Sequence, residues 1–303
     1  MRMKNFRKAL ARDKYLIILI SPVVVFFLVF SYYPMYGAII AFKEYRVALG
    51  IFGSPWVGFD HFIRFFNSLF FTRLITNTFL ISFYSLLWGF PIPIIFALIL
   101  NEFRDGLFKR SVQTISYFPH FISLVVACGM VISFLSPQGG IINRLIEMAG
   151  GTPINFLSLP QWFRTVLIGS SIWQGFGFGS IIYFAAISGV NPELYEAARI
   201  DGAGRMRQMW HITLPGIRPT ILTLLILSIG NIMTVGFERI ILLYSPATYA
   251  TADVISTYVY RIGLLGAQYS YAAAIGLFNS AINITILLVV NSLSRRYFEI
   301  SLW

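Results

Sequence analysis

Apolar residues fall along this chain in long blocks, not in the alternation of a half-buried strand, and six of the blocks reach the roughly 20 helical residues needed to cross about 30 Å of hydrocarbon: residues 15–37, 76–100, 112–135, 165–187, 217–243 and 272–293. Six membrane-crossing helices follow, in an all-α integral membrane protein. The first block trails a basic leader, residues 1–14, yet it is too long for a signal-peptide core and has no small-residue cleavage site, so it reads as a retained helix. Pro91, Pro93 and Pro119 read as kinks within the second and third spans. In the fourth, Gly175 and Gly179 have the spacing that lets two membrane helices approach closely.

Composition agrees with the pattern. Hydrophobic residues make up 57% of the 303 positions, charged residues 12%, and the mean hydropathy is +0.74. A soluble domain carries about twice that charge. Charge then orients the bundle. Residues 1–14, 104–110, 199–218 and 295–296 hold 15 Lys and Arg, against seven in the intervening loops. The positive-inside tendency makes the richer side cytoplasmic, with both termini inside. The net charge of +11 is thus largely a topology signal with attraction to anionic membrane lipid, and it gives no reason to invoke nucleic acid. Cys128 is the single cysteine, so no intrachain disulfide is possible.

One polar island breaks the pattern, residues 193–215, ELYEAARIDGAGRMRQMWHITLP, between the fourth and fifth spans. Asn191, Pro192 and Glu193 form a helix start, with Asn as N-cap and Pro at the first helical position. The helix runs through Ile200, and Asp201, Gly202, Ala203 and Gly204 end it. A second short basic helix, residues 205–211, carries Met206, Met209 and Trp210 before Leu214 and Pro215 lead into the fifth span. Small Ala197 and Ala198 among exposed apolar and charged groups suit a helix seated in a partner's groove; a helix resting on the membrane surface is the plainer alternative.

Polar and aromatic groups inside the spans are candidates for contact with a transported solute: Asn77, Tyr84, Trp88, Trp173, Gln174, Asn231, Glu238, Asn279 and Asn283. Each has a plainer reading in helix–helix hydrogen bonding or interfacial anchoring. Glu238 and Arg239 are ionisable within an apolar run. Counting about 1.5 Å per residue along a continuous fifth helix puts Glu238 roughly 30 Å from its start, near the outer end, as an ion-pair partner or a gate carboxylate. Enzyme chemistry has little support: His61, His120 and His211 lie far apart, and neither H-E-x-x-H nor G-x-S-x-G occurs. No G-x-x-x-x-G-K-[ST] phosphate cradle occurs either. A secondary transporter would show matched halves with broken helices, and no internal repeat is found.

The island has a recognisable form. Glu196-Ala197-Ala198, three residues, Gly202, nine residues, then Ile212-Thr213-Leu214-Pro215 resembles the EAA loop of ABC importer permeases. The resemblance implies a type I ABC importer permease fold, residues 1–303 as one domain, with residues 188–216 as the cytoplasmic coupling loop that docks into an ATP-hydrolysing subunit. It assigns that docking to Glu193, Glu196, Ala197, Ala198, Asp201, Gly202, Ala203, Leu214 and Pro215. Residues 33–37 (YPMYG), 118–123 (FPHFIS) and 173–177 (WQGFG) are similar to the polysaccharide-type, LplB-like branch of carbohydrate importer permeases. The implied assembly is a second homologous permease, two ATP-binding subunits and an extracellular solute-binding protein delivering an oligosaccharide, in a bacterial cell membrane. The chain would hold no metal or cofactor, ATP and Mg being bound by the partner ATPase. Permeases for amino acids, peptides or phosphate share the EAA loop, and such a solute is the alternative to the oligosaccharide that the softer motifs imply.

Overall fold

The computed structural model describes residues 13–230, 232 and 235–298. The helices used below are, in chain order, α1 (Lys14–Phe42), α2 (Asp60–Phe66), α3 (Phe71–Asn101), α4 (Leu107–Phe121), α5 (Leu124–Leu135), α6 (Ile141–Met148), α7 (Pro160–Ser188), α8 (Pro192–Ile200), α9 (Arg205–Gly216), α10 (Arg218–Gly230), α11 (Phe237–Leu243) and α12 (Tyr269–Phe298), with shorter helical turns between them. No strand occurs among the described residues; an isolated bridge joins Lys43 and Trp56. Among the described residues, four helices, α1, α3, α7 and α12, are long and apolar enough to cross a membrane alone. The number rises to six if the bent pairs α4–α5 and α9–α10 each make one crossing.

Two compact units make up the chain. One takes in the chain up to Asn67 together with Ile262–Leu277. Within it, α1 absorbs Pro34, which can neither donate a backbone hydrogen bond nor fit beneath the preceding turn, through a wider turn at Leu28–Tyr32 and a tighter one at Tyr36–Phe42. None of the most apolar stretch of α1 is buried, as suits a helix whose cover is lipid or another subunit. After α1, Phe42 stacks on Trp56 and meets Phe59 and Phe62. Arg64 bonds Gln268 and lies over the Tyr271 ring.

The second unit takes in Ser68–Arg261 and the chain from Phe278. Two apolar core clusters stand out among its described residues. Ile81, Cys128, Phe163, Leu167, Ile240 and Leu243 join α3, α5, α7 and α11. Ile94, Ala97, Leu98, Tyr183 and Ile187 join the later parts of α3 and α7 to Ile217, at the foot of α10. In both helices the first cluster draws on lower-numbered residues than the second, so a gap is left between them along α3 and α7.

Two spans expected to be continuous are broken. The third bends by 104° between α4 and α5. Pro119 tightens the last turn of α4 into a 3-10 helix, Ile122 and Ser123 are extended, and the Ser123 hydroxyl caps α5 by accepting from Val126 N–H. The fifth is interrupted before α11, since Ile232 lies in a turn and Val235 and Gly236 are not helical. Gly230 lies so close to Leu287 that a Cβ there would stand 2.4 Å from Leu287 Cδ1, and Gly236, at φ −59° and ψ 80°, sets a non-helical entry to α11. Glu238 therefore does not sit at the end of one continuous helix, and its depth cannot be counted off from Ile217.

The fourth span also differs in detail. A Cβ on Gly175 would meet nothing within 4 Å, and one on Gly179 only Pro93 at 3.6 Å. The close approach falls at Gly177, where a Cβ would lie 2.0 Å from the Ser116 carbonyl oxygen of α4. Helix α4 meets α7 at Gly177, two residues from either glycine of the G-x-x-x-G spacing and so on nearly the opposite face of the helix.

Candidate functional site

The loop after α7 is built by local rules. Pro192 starts α8, and the Asn191 side chain accepts from Glu193 N–H and donates to Glu193 Oε2. Such a cap is worth about 1 kcal/mol. At the other end Gly202 takes φ +73°, Ala203 N–H bonds the Ala198 carbonyl at 2.8 Å and Gly202 N–H the Arg199 carbonyl at 3.1 Å. This is the paired bonding of a Schellman turn, which needs a residue at ease in the left-handed region. Gln208 Nε2 donates to the Ala203 carbonyl and holds the start of α9 to the turn.

The loop is fixed at its foot and open at its crest. Tyr195 and the fully buried Thr213 share a hydrogen bond of 3.0 Å, and Gly216 sits against Val190 so closely that a Cβ would be 2.8 Å from Val190 Cγ2. Ile217 is fully buried in the core cluster. At the crest Glu193, Glu196, Ala197, Asp201 and Gly202 are exposed, Ala198, Ala203 and Leu214 half-buried, and Pro215 exposed. Ile200 is 87% exposed and Met206 66%, with Trp210 also out. Met206, Arg207, Trp210 and Gly202 line a concavity of about 560 Å³. An apolar surface held this rigidly on a polar loop is built to be covered.

The gap between the two core clusters is a cavity of about 610 Å³, lined by Ser82, Ser85, Pro93, Ser171, Tyr183 and Ser228 among others. None of its lining residues is charged. Three spans thus contribute hydroxyl groups, which both donate and accept, around an otherwise apolar space.

The candidates named from sequence lie elsewhere. Asn77 is buried and donates to the Ala250 and Asp253 carbonyls while accepting from Arg164 at 2.7 Å. It belongs to a knot centred on the fully buried Asp253, which pairs with Arg73 at 3.2 Å and Arg261 at 2.7 Å and accepts from Thr257. Burial works against the Arg261 charge, yet hydrogen bonds and charge from Asp253 hold its pKa above the ordinary arginine value. Gln174 is buried, donates to the Ile122 carbonyl at the bend and accepts from Arg239. Arg239 turns to Gln174 and Ser170, and no Glu238–Arg239 ion pair forms among the described residues; Glu238 is exposed. Trp173 lines a separate apolar cavity of about 380 Å³ with Phe134, Phe156 and Trp162. Tyr84 is half-buried and Trp88 exposed, and neither lines the serine cavity. Asn279 and Asn283 are half-buried one turn apart on α12, with the Asn279 amide oxygen buried and unpartnered among the described residues. Asn231 lies outside the described residues.

Sequence reading passed over the four serines because a lone hydroxyl in an apolar run is unremarkable. The available signal was Ser82 and Ser85, three residues apart on one helix face.

Known proteins resemble this chain along nearly all its length. It is 46% identical to the polygalacturonan/rhamnogalacturonan transport system permease protein YteP of Bacillus subtilis, over 96% of this chain and 90% of the relative. It is 44% identical to Protein LplB of the same organism, over 97% and 92%, as the resemblance in residues 118–123 and 173–177 implies. A crystal structure of a bacterial alginate ABC transporter in complex with an alginate pentasaccharide-bound periplasmic protein contains a chain that matches with a TM-score of 0.90 at 47% identity, covering 97% of this chain and 99% of that one. The fold is accordingly that of a type I ABC importer permease. Residues 89–299, which include the polar loop and most of the serine cavity, match the family model, and the chain belongs to the binding-protein-dependent transport system inner membrane components.

Proposed function

We propose that this chain is one permease half of an ATP-driven importer, lining the path of an oligosaccharide handed over by an extracellular binding protein. The exposed crest of α8 and α9 on a foot anchored in the core carries the reading. A partner ATPase, holding ATP and Mg, takes the crest formed by Glu193, Glu196, Ala197, Ala198, Asp201, Gly202 and Ala203. Leu214 and Pro215 join the crest to the span. Motion of the crest passes through Tyr195–Thr213 and Val190–Gly216 to the end of α7 and the start of α10. Those two helices carry Ser171 and Ser228 into the cavity, so closure of the ATPases is felt where a solute would lie. A second permease completes the path. Both termini face the cytoplasm, where the basic loops lie.

The saccharide assignment is supported by the named cargo of the relatives and by the chemistry of the cavity. A pyranose offers hydroxyls, which serine hydroxyls match as donors and acceptors.

The test is ATP hydrolysis and uptake in proteoliposomes holding this chain, its partner permease, the ATPase and the binding protein, with and without oligosaccharide. Stimulation by one saccharide class, lost in Glu196→Lys, is the expected result. An assembled complex that answers no saccharide but answers an amino acid or peptide would move the assignment to that solute.

A further inference from the structure

The FPHFIS stretch, residues 118–123, has no role so far, and the structure places it unusually. Gln174, which binds the Ile122 carbonyl at 2.8 Å, is the midpoint of the 29-residue span Pro160–Ser188. The 104° bend is therefore level with the middle of an apolar helix, about 21 Å from either end. Non-helical backbone at that depth is tolerated only where it is buried in protein or lines a water-filled space. An ionisable side chain there obeys the same restriction. His120 is nevertheless exposed, as are Phe118 and, at 73%, Phe121.

The exposed groups form an ordered shelf. The His120 ring lies parallel to the Phe178 ring, 3.9 Å between centroids and 1° between planes. Phe121 stands edge-on to both rings, at 5.7 and 5.9 Å. Gln174 and Ser123 satisfy the backbone on either side of the bend, so the shelf is held in place. Lipid is excluded as its cover by the imidazole and the irregular backbone, and flat rings beside a hydrogen-bonding imidazole match a sugar ring, which has one apolar face and a rim of hydroxyls. Discontinuous membrane helices also form substrate sites near the bilayer midplane in transporters of other kinds.

We infer that His120, Phe121 and Phe178 form a pyranose-binding subsite of the translocation path at the bend of the third span. The inference rests on the oligosaccharide reading above. Phe178 and Phe121 supply the stacking surface, and the His120 ring nitrogens bond sugar hydroxyls.

The test uses the full complex in proteoliposomes, with oligogalacturonides, alginate oligosaccharides and arabino-oligosaccharides as probes. His120→Ala and Phe178→Ala raise KM for uptake about tenfold, while His120→Phe, which keeps a ring, stays nearer the wild type. His120→Cys in a transport-competent Cys128→Ala chain is modified by a small water-soluble thiol reagent, and the transported saccharide slows that modification. Wild-type KM in both alanine variants overturns the subsite. So does a His120→Cys thiol that no reagent reaches until the partner permease is removed, because the shelf is then a subunit interface. A wild-type complex that moves none of the saccharides overturns the subsite and the oligosaccharide reading together; normal uptake with unaffected variants overturns the subsite alone.

Discussion

Gly202 shows how much one residue can decide. A Cβ there would meet nothing within 4 Å, so the constraint is its φ of +73°, not space. Alanine in the left-handed region costs about 1–2 kcal/mol, a β-branched residue more, and asparagine less. Gly202→Val should uncouple ATP hydrolysis from the loaded binding protein most strongly, Gly202→Ala less, and Gly202→Asn least, with the chain still inserted in the membrane. Stimulated hydrolysis by the reconstituted complex gives the order, and equal activity in all three would mean that docking does not depend on this turn. The cap at Asn191 and the turn at Gly202 were legible in the sequence because both are made by neighbours along the chain. The knot at Asp253 was not, since Arg73 and Asn77 reach it from another helix.

Helices meet where side chains are missing, and the face on which they do so is set by three dimensions. The sequence pointed to Gly175 and Gly179, but Gly177 is the contact with α4. Gly177→Ala would place a Cβ 2.0 Å from the Ser116 carbonyl oxygen and 2.4 Å from its carbon. Backbone atoms cannot rotate away, so α4 must move, at about 1–3 kcal/mol or more. Gly175→Ala meets open space and gains helix propensity, of order 1 kcal/mol. Thermal unfolding of the purified chain should therefore fall for Gly177→Ala and hold or rise for Gly175→Ala; equal midpoints would place the α4–α7 contact elsewhere. The existence of the spans was legible because hydropathy is a property of the linear chain. The breaks at residues 122–123 and 235–236 were not: the first relies on Gln174 to accommodate a free carbonyl, and the second lies beyond a helix that Leu287 crowds at Gly230. An apolar run looks the same whether or not such a partner is present.

At the scale of the molecule, the question is on which side of the membrane the polar loop lies, where the proposed ATPase would have to meet it, and charge is the argument. The Lys and Arg of the loops divide 15 to seven, and moving that many cations across a membrane during insertion is opposed at the first loop that carries them. Leu69 lies on the sparser side and is 96% exposed, while Ile200, on the crest of α8, is 87% exposed. Neither is hindered within the chain, so membrane sidedness alone governs access. In a Cys128→Ser chain expressed without its ATPase, a membrane-impermeant maleimide should label Leu69→Cys in intact cells and Ile200→Cys only after the cells are opened. The opposite pattern would put the crest outside, where no ATP is available, and would remove the coupling role from α8 and α9 whatever their shape. With the expected pattern, the most exposed apolar residue of the polar loop faces the compartment that holds the nucleotide, and a rigid crest there has one evident use: to be pushed.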